Sequence, residues 1–159
     1  MLTIEKKSLK VGKFVSNEHV DTVIRTYKKE RWAPNSERLG KEDSLSAWWS
    51  IEEVEEFIAK AKDNGADGLR FYFAAYPHDY TEQPAYAGRQ TIVMVGTKHK
   101  GAGEGIAANK DIYINTEEGT SILAYNTPMV CPPFCKPKTE GEDIGITIID
   151  KGEQGLAII

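Results

Sequence analysis

The spacing of apolar residues changes at Asn64-Gly65, and that switch limits the fold more than any other feature of the chain. Before it, apolar residues recur every three or four positions, as one face of an α-helix requires. After it they come in short runs broken by turn residues, and no helical pattern returns. Parallel strands need long crossover connections, usually helical, so strands with no helices between them predict antiparallel pairing. Helices first and strands later predict an α+β fold. Two N-terminal amphipathic helices should pack on one face of a mostly antiparallel sheet of about five to six strands.

The first helix is expected from Asn17 to Arg31, with Val20, Val23, Ile24 and Tyr27 as its apolar stripe. Ser16 or Asn17 can accept from the free amides of the first turn, and Pro34 is expected to close the segment. Lys28, Lys29 and Arg31 sit where cations meet the negative end of the helix dipole, which accounts for the cluster without a partner. Ser50 and Glu53 form a capping box that starts a second helix, from Ile51 to about Asp63. Its buried stripe is expected to be Ile51, Val54, Phe57, Ile58 and Ala61, and Asn64-Gly65 is a left-handed stop. Strands are expected at 44–49, 68–76, 90–98, 111–115, 121–126, 144–150 and 155–159. Glu117-Glu118-Gly119 and Lys151-Gly152-Glu153-Gln154 carry hairpin turn chemistry. Residues 1–15 fit an arm or a Lys-guarded edge strand. Three long connections remain, 77–89, 99–110 and 127–143, and such loops are often functional.

Nothing in the chain divides it, so 1–159 is read as one domain. The 40% hydrophobic content can fill a core, and the net charge of −4 disfavours a general nucleic-acid binder, which needs Lys and Arg to replace phosphate counterions. Apolar runs such as Ile92 to Val95 are far short of the ~20 residues that span a bilayer. The N-terminal Met1-Leu2-Thr3-Ile4-Glu5-Lys6-Lys7 has no apolar signal-peptide core, so the cytoplasm is the expected compartment.

Cys131-Pro132-Pro133-Phe134-Cys135 is the most unusual segment, because four of the seven prolines lie between 128 and 137. The plain reading is a stiff loop with two small apolar residues packed over the sheet. The chemical alternative is a thiol pair that forms a disulfide or acts in redox exchange. Four extended steps would separate the two Cα atoms by about 13 Å, whereas a bridge needs roughly 4.4–6.8 Å. The chain must therefore turn inside the loop, at Pro133-Phe134 or through a cis Pro132–Pro133 bond. A zinc site lacks ligands, since this spacing supplies two and His19, His78 and His99 are scattered. No metal and no cofactor are expected.

Arg70, Tyr72, Tyr76 and His78 share parity along one strand, while Leu69, Phe71 and Phe73 take the other face and should meet the helices. The first group, joined by Arg89 from the next strand, could hold a small carboxylate or phosphate. A half-solvated face with ordinary cross-strand pairs is the simpler reading. The Gly-rich run from Lys98 to Gly105 is neither a dinucleotide fingerprint, because Ile106 stands where the third Gly belongs, nor a P-loop. Asp63 to Gly68 fails as a calcium loop, since Ala74 occupies the bidentate Glu position. No nucleophile elbow, H-E-x-x-H or kinase signature is present.

Trp48-Trp49-Ser50-Ile51-Glu52-Glu53, Gly68-Leu69-Arg70, Tyr86-Ala87-Gly88-Arg89-Gln90-Thr91 and the Cys131 to Cys135 loop together resemble an uncharacterised family of small bacterial single-domain proteins. The resemblance covers roughly residues 17–159. It implies a bacterial single-domain protein and carries no activity. Without a complete catalytic constellation, the expectation is a non-catalytic cytoplasmic binding or interaction domain. Its partner is expected to be a protein or a small anion, with self-association through an uncovered sheet face or edge strand. The alternatives are a thiol-dependent protein using Cys131 and Cys135, and a small enzyme or binder for an anionic molecule near Arg70 and Arg89.

Overall fold

The computed structural model describes residues 10–100 and 108–135, together with the backbone of two short strands at Ile148–Asp150 and Leu156–Ile158. Residues 1–9 of the expected arm, most of the Gly-rich loop, 144–147 of one expected strand and the turn from Lys151 to Gln154 lie outside the described residues. The class is α+β, and the pairings given below are antiparallel. The helices are α1 (Asn17–Tyr27), α2 (Ala33–Leu39) and α3 (Ile51–Asp63). The strands are β1 (Ser46–Trp48), β2 (Gly68–Ala75), β3 (Gln90–His99), β4 (Asn109–Asp111), β5 (Tyr113–Thr116), β6 (Gly119–Ile122), β7 (Ala124–Tyr125), β8 (Met129–Cys131), β9 (Ile148–Asp150) and β10 (Leu156–Ile158).

Contacts group the chain into two compact units interleaved in sequence. The first takes Trp49–Phe73 and Ile92–Thr127; the second takes Phe14–Trp48, Ala74–Thr91 and the residues from Pro128 onward. Strands β2 and β3 each contribute residues to both.

In the first unit, α3 forms where its sequence says it should. The Ser50 hydroxyl accepts from the Glu53 amide at 3.1 Å, and the Glu53 carboxylate accepts from the Ser50 amide at 2.9 Å, the reciprocal capping box. The helix stops in a Schellman turn: Gly65 N–H donates to Lys62 and Ala66 N–H to Ala61, with Gly65 at φ 87°. Phe57 and Ala61 of α3 pack with Met94 and Leu123 as the core, flanked by Trp49, Val54, Leu69, Ile112, Ile114 and Tyr125. Ile51, expected in the buried stripe, is instead exposed at the first helical position. Strand β3 is central: β2 and β4 flank it and β7 also pairs with it, so its middle, Met94 to Thr97, is buried without alternation. The close approach of β2 fixes Gly68, where a Cβ would come within 2.8 Å of Thr97 Oγ1. β5 and β6 form a hairpin across the Glu117-Glu118 turn.

In the second unit, α1 starts as expected, with Ser16 accepting from the His19 amide. It does not end at Pro34. The helical run continues through a π turn at Lys28–Trp32, where Ala33 N–H donates to Lys28, and then through α2 to Gly40, at φ 70°. The widened turn shifts the bonding from four residues back to five, and Pro34 follows directly, at the start of α2. Neither α1 nor α2 buries a residue fully, and the first unit's core takes its helix residues from α3 alone. The expected pair of helices on one continuous sheet is therefore replaced by one core helix and several small sheets. Strand β8 lies inside the stretch expected to be a loop and pairs with β1, Ser46 opposite Cys131 and Trp48 opposite Met129. β9 and β10 pair with each other.

Candidate functional site

Arg70 and Tyr72 do share a face, but the group that organises them is Asp111 of β4. Arg70 Nη1 lies 2.5 Å from Asp111 Oδ1, Arg70 Nη2 donates to the Asn109 carbonyl at 2.7 Å, and Tyr72 donates to Asp111 Oδ2 at 2.5 Å. The guanidinium also donates to the Tyr72 oxygen at 3.2 Å and lies near its ring. The Tyr72 hydrogen bond, followed by the charge of Asp111, holds the Arg70 guanidinium even more firmly protonated than usual. The fork that could have gripped an anion already grips a carboxylate, a backbone carbonyl and a phenol. Nearby, His99 Nδ1 meets Asn109 Oδ1 at 3.0 Å, and the His99 amide donates to Asp67.

The other half of the expected anion face lies in the second unit. Tyr76 is buried, stacked on Tyr86 and tilted against Tyr80, and its hydroxyl accepts from Thr91 at 3.2 Å. Its amide donates to the Arg89 carbonyl, so Tyr76 and Arg89 are held together by backbone. The Arg89 side chain is buried and donates to the carbonyls of Glu42, at 2.7 Å, and Ala85. Pro77 ends the β2 extension, and His78 is exposed. The structure thus brings Arg70 together with Tyr72, and Tyr76 together with Arg89.

Asp43, which no sequence pattern marked, is the polar centre of this unit. It is 3% exposed, and its Oδ1 accepts from the amides of Ser44 and Gln90 at 2.8 and 2.7 Å. Its backbone accepts from the Trp32 indole and donates to the Ser36 hydroxyl. Tyr27 of α1 donates to Gln90, and its pKa is raised by burial and then by the charge of Asp43. Ser44 donates to the Pro132 carbonyl at 2.9 Å, which ties the segment to the proline loop.

That loop is closed by a disulfide between Cys131 and Cys135, with Cα atoms 4.8 Å apart. Phe134 N–H donates to the Val130 carbonyl, the turn that the spacing required, and the bonds preceding Pro132 and Pro133 are both cis. Tyr86 braces the loop from within: it packs edge-on to Phe134, donates to the Pro128 carbonyl and accepts from the Val130 amide. One face of the β1–β8 ribbon is therefore buried through Val130 and Ala47. The other carries Trp48 opposite Met129, 59% and 40% exposed.

Among the described residues, no buried side-chain nitrogen or oxygen lacks a partner, and no three His, Cys, Asp or Glu side chains gather as a metal-binding group. No helix among them is long and apolar enough to cross a membrane. Comparison of the chain with family models, with curated proteins and with solved structures finds no match.

Proposed function

We propose that the protein is a non-catalytic binding domain that docks a partner protein on the outer face of the β1–β8 ribbon. The observation that carries this reading is the exposed cross-strand pair of Trp48 and Met129. Trp and Met are enriched at the centres of protein interfaces, and Trp is among the commonest residues whose truncation costs most. The ribbon holds this pair in place before binding. Ala47 and Val130 anchor its inner face, and the disulfide closes the loop that follows β8. A rigid surface loses little conformational entropy on association. The polar clusters contrast with it, because Arg70, Asp111, Arg89 and Asp43 are engaged with groups of the chain itself. An anionic ligand at Arg70 and Arg89 is accordingly the reading the geometry supports least.

Affinity capture with the whole chain and with Trp48→Ala tests the proposal. Wild type should retain a partner that Trp48→Ala loses at least about tenfold, with unchanged thermal melting. Identical capture by both proteins sinks the Trp48 surface. Substrate turnover by the wild type in a hydrolase and transferase panel sinks the non-catalytic reading.

A second reading rests on the bridge itself. Both cysteines are half-buried rather than enclosed, and on this reading a dithiol protein reaches the disulfide. Its thiolate would attack one sulfur, and its second thiol would release the mixed disulfide, leaving Cys131 and Cys135 as thiols and the partner oxidised. Disulfides are rare where glutathione and thioredoxin keep thiols reduced. The expected cytoplasmic location and a permanent bridge therefore pull against each other. Alkylation of the protein in fresh cell extract distinguishes them: a bridge that stays closed and resists a dithiol reductant speaks for a brace, and a mixed population for redox exchange.

A further inference from the structure

Strand β2 carries a surface that the Trp48 reading does not use. Leu69, Phe71 and Phe73 share one face of the strand by parity. Leu69 packs against the core that α3 covers, but Phe71 is 50% and Phe73 84% exposed, and Tyr72 between them, on the opposite face, is 41% exposed. Among the described residues β2 has a single strand partner, β3. Among the described residues no strand pairs with the other edge of β2, whose backbone donors and acceptors lie beside exposed aromatics. Soluble proteins usually guard such an edge with Lys, Pro or a bulge. The stretch Gly68-Leu69-Arg70-Phe71-Tyr72-Phe73-Ala74-Ala75 has no Lys or Pro, and its one charge, Arg70, is turned to Asp111.

We infer that β2 pairs with β2 of a second copy, antiparallel about a two-fold axis at Tyr72, making one continuous sheet across a homodimer. The sequence is self-complementary in that register. Phe71 falls opposite the partner's Phe73 and Phe73 opposite the partner's Phe71, on the same face, which gathers four phenylalanines. Tyr72 faces the partner's Tyr72, and Arg70 faces the partner's Ala74, so no like charges meet. A shift that centres the axis on Arg70 would oppose two guanidinium groups and leave Phe73 beside Asp67. With about 150–250 Å² per aromatic side chain, the exposed parts of Phe71, Tyr72 and Phe73 supply roughly 350 Å² on each copy. That is over half of the ~600 Å² per partner at the lower limit of specific interfaces, and the paired backbones and neighbouring side chains add to it. The partner here is defined by symmetry and strand pairing, whereas the Trp48 face would take a different protein; either surface can fail without the other.

The test is light scattering coupled to size exclusion on the full chain, from micromolar to hundreds of micromolar. Wild type should reach twice the monomer mass, and Phe73→Lys should stay at the monomer mass with an unchanged circular dichroism spectrum. A wild type that is monomeric throughout overturns the proposal. So does a dimer that survives Phe73→Lys. Should that variant misfold, amide hydrogen exchange of the wild type decides. Protection of amides in residues 70–74 should rise with protein concentration. Unchanged protection between samples that scattering shows to be monomeric and dimeric means that this edge is not the interface, and overturns the proposal.

Discussion

The first unit closes around side chains that have nothing to hydrogen-bond. Met94 is fully buried between Phe57, Ala61 and Leu123, and a capped, amphipathic helix covers them. The second closes around tyrosines and buried polar groups. Tyr76 and Tyr86 stack, Val130 fills the space beside them, and Asp43, Ser44, Arg89 and Thr91 are buried with their partners supplied. A core of the first kind depends on filled volume, since the cost of a deletion follows the cavity left behind. A core of the second kind depends on satisfied donors and acceptors, because an orphaned buried group carries its whole desolvation cost. The two units of one chain should therefore fail for different reasons when cut.

Met94→Ala is the largest cut. It removes a fully buried side chain next to Gly96, where Leu123 and Ala61 already approach within 3.2 and 3.4 Å of a would-be Cβ. The expected loss is about 4 kcal/mol, toward the upper end of Met-to-Ala changes in close-packed cores. Chemical denaturation checks the size, and hydrogen exchange checks the place. Amides of α3 and of β3 from Ile92 to Thr97 should lose protection first. Equal, simultaneous loss at Tyr86 and Val130 would break the distinction between two kinds of core, because it would show one cooperative interior.

Asp43→Ala cuts the second unit. It leaves the Ser44 and Gln90 amides without their acceptor in a buried site, at an expected cost of about 3 kcal/mol. Asp43→Asn sharpens the comparison, because its amide oxygen can still accept both bonds. Recovery of most of the lost stability in Asn, measured by urea denaturation, means that hydrogen-bond satisfaction is what matters at this position. If Asn is as damaging as Ala, the negative charge itself is what the site needs, and the polar core must be understood as an electrostatic one.

The same contrast explains what the sequence shows. Helix α3 is legible because a capping box, an apolar stripe and a left-handed stop all agree over Ser50 to Gly65. The α+β class follows from the change of period, and the Cys131 loop leaves a disulfide open as one of its readings. Parity assigns Phe71 and Phe73 to the face of Leu69, but it does not say how far the covering helix reaches, so their exposure is invisible in the sequence. The passage of the helix through Pro34 is equally hidden, since a π turn is a matter of hydrogen-bond phase with no residue signature of its own. Strand β8 is three residues long between Pro128 and Pro132, too short for an alternating pattern to register. Asp111 and Asp43 look like any surface carboxylates. Only the fold shows that one meets Arg70 from β4 and that the other accepts from the distant Gln90 amide as well as from its neighbour Ser44.

The smallest cut tests whether the apolar unit is wholly free of polar dependence. Glu53 caps α3 through Ser50 and also accepts from the Tyr125 hydroxyl at 2.9 Å. These bonds, first from the Ser50 amide, then from its hydroxyl, then from Tyr125, hold the Glu53 carboxyl below its usual value of 4.5. A group whose folded pKa is depressed stabilises the fold above its unfolded pKa, and that contribution fades as pH falls through the folded value. Ser50→Ala removes the acceptor for the Glu53 amide and should cost about 1 kcal/mol near neutral pH. The carboxylate's bond to the Ser50 amide survives the change, but its bond to the Ser50 hydroxyl does not. Glu53→Gln should lose the charge-dependent part, so its deficit relative to wild type should shrink as the buffer is taken from neutrality to below pH 4.5. Thermal melts of the three proteins across that range check both claims. A Glu53→Gln deficit that stays constant with pH would show that the cap contributes shape alone, and the first unit would then rest on packing throughout.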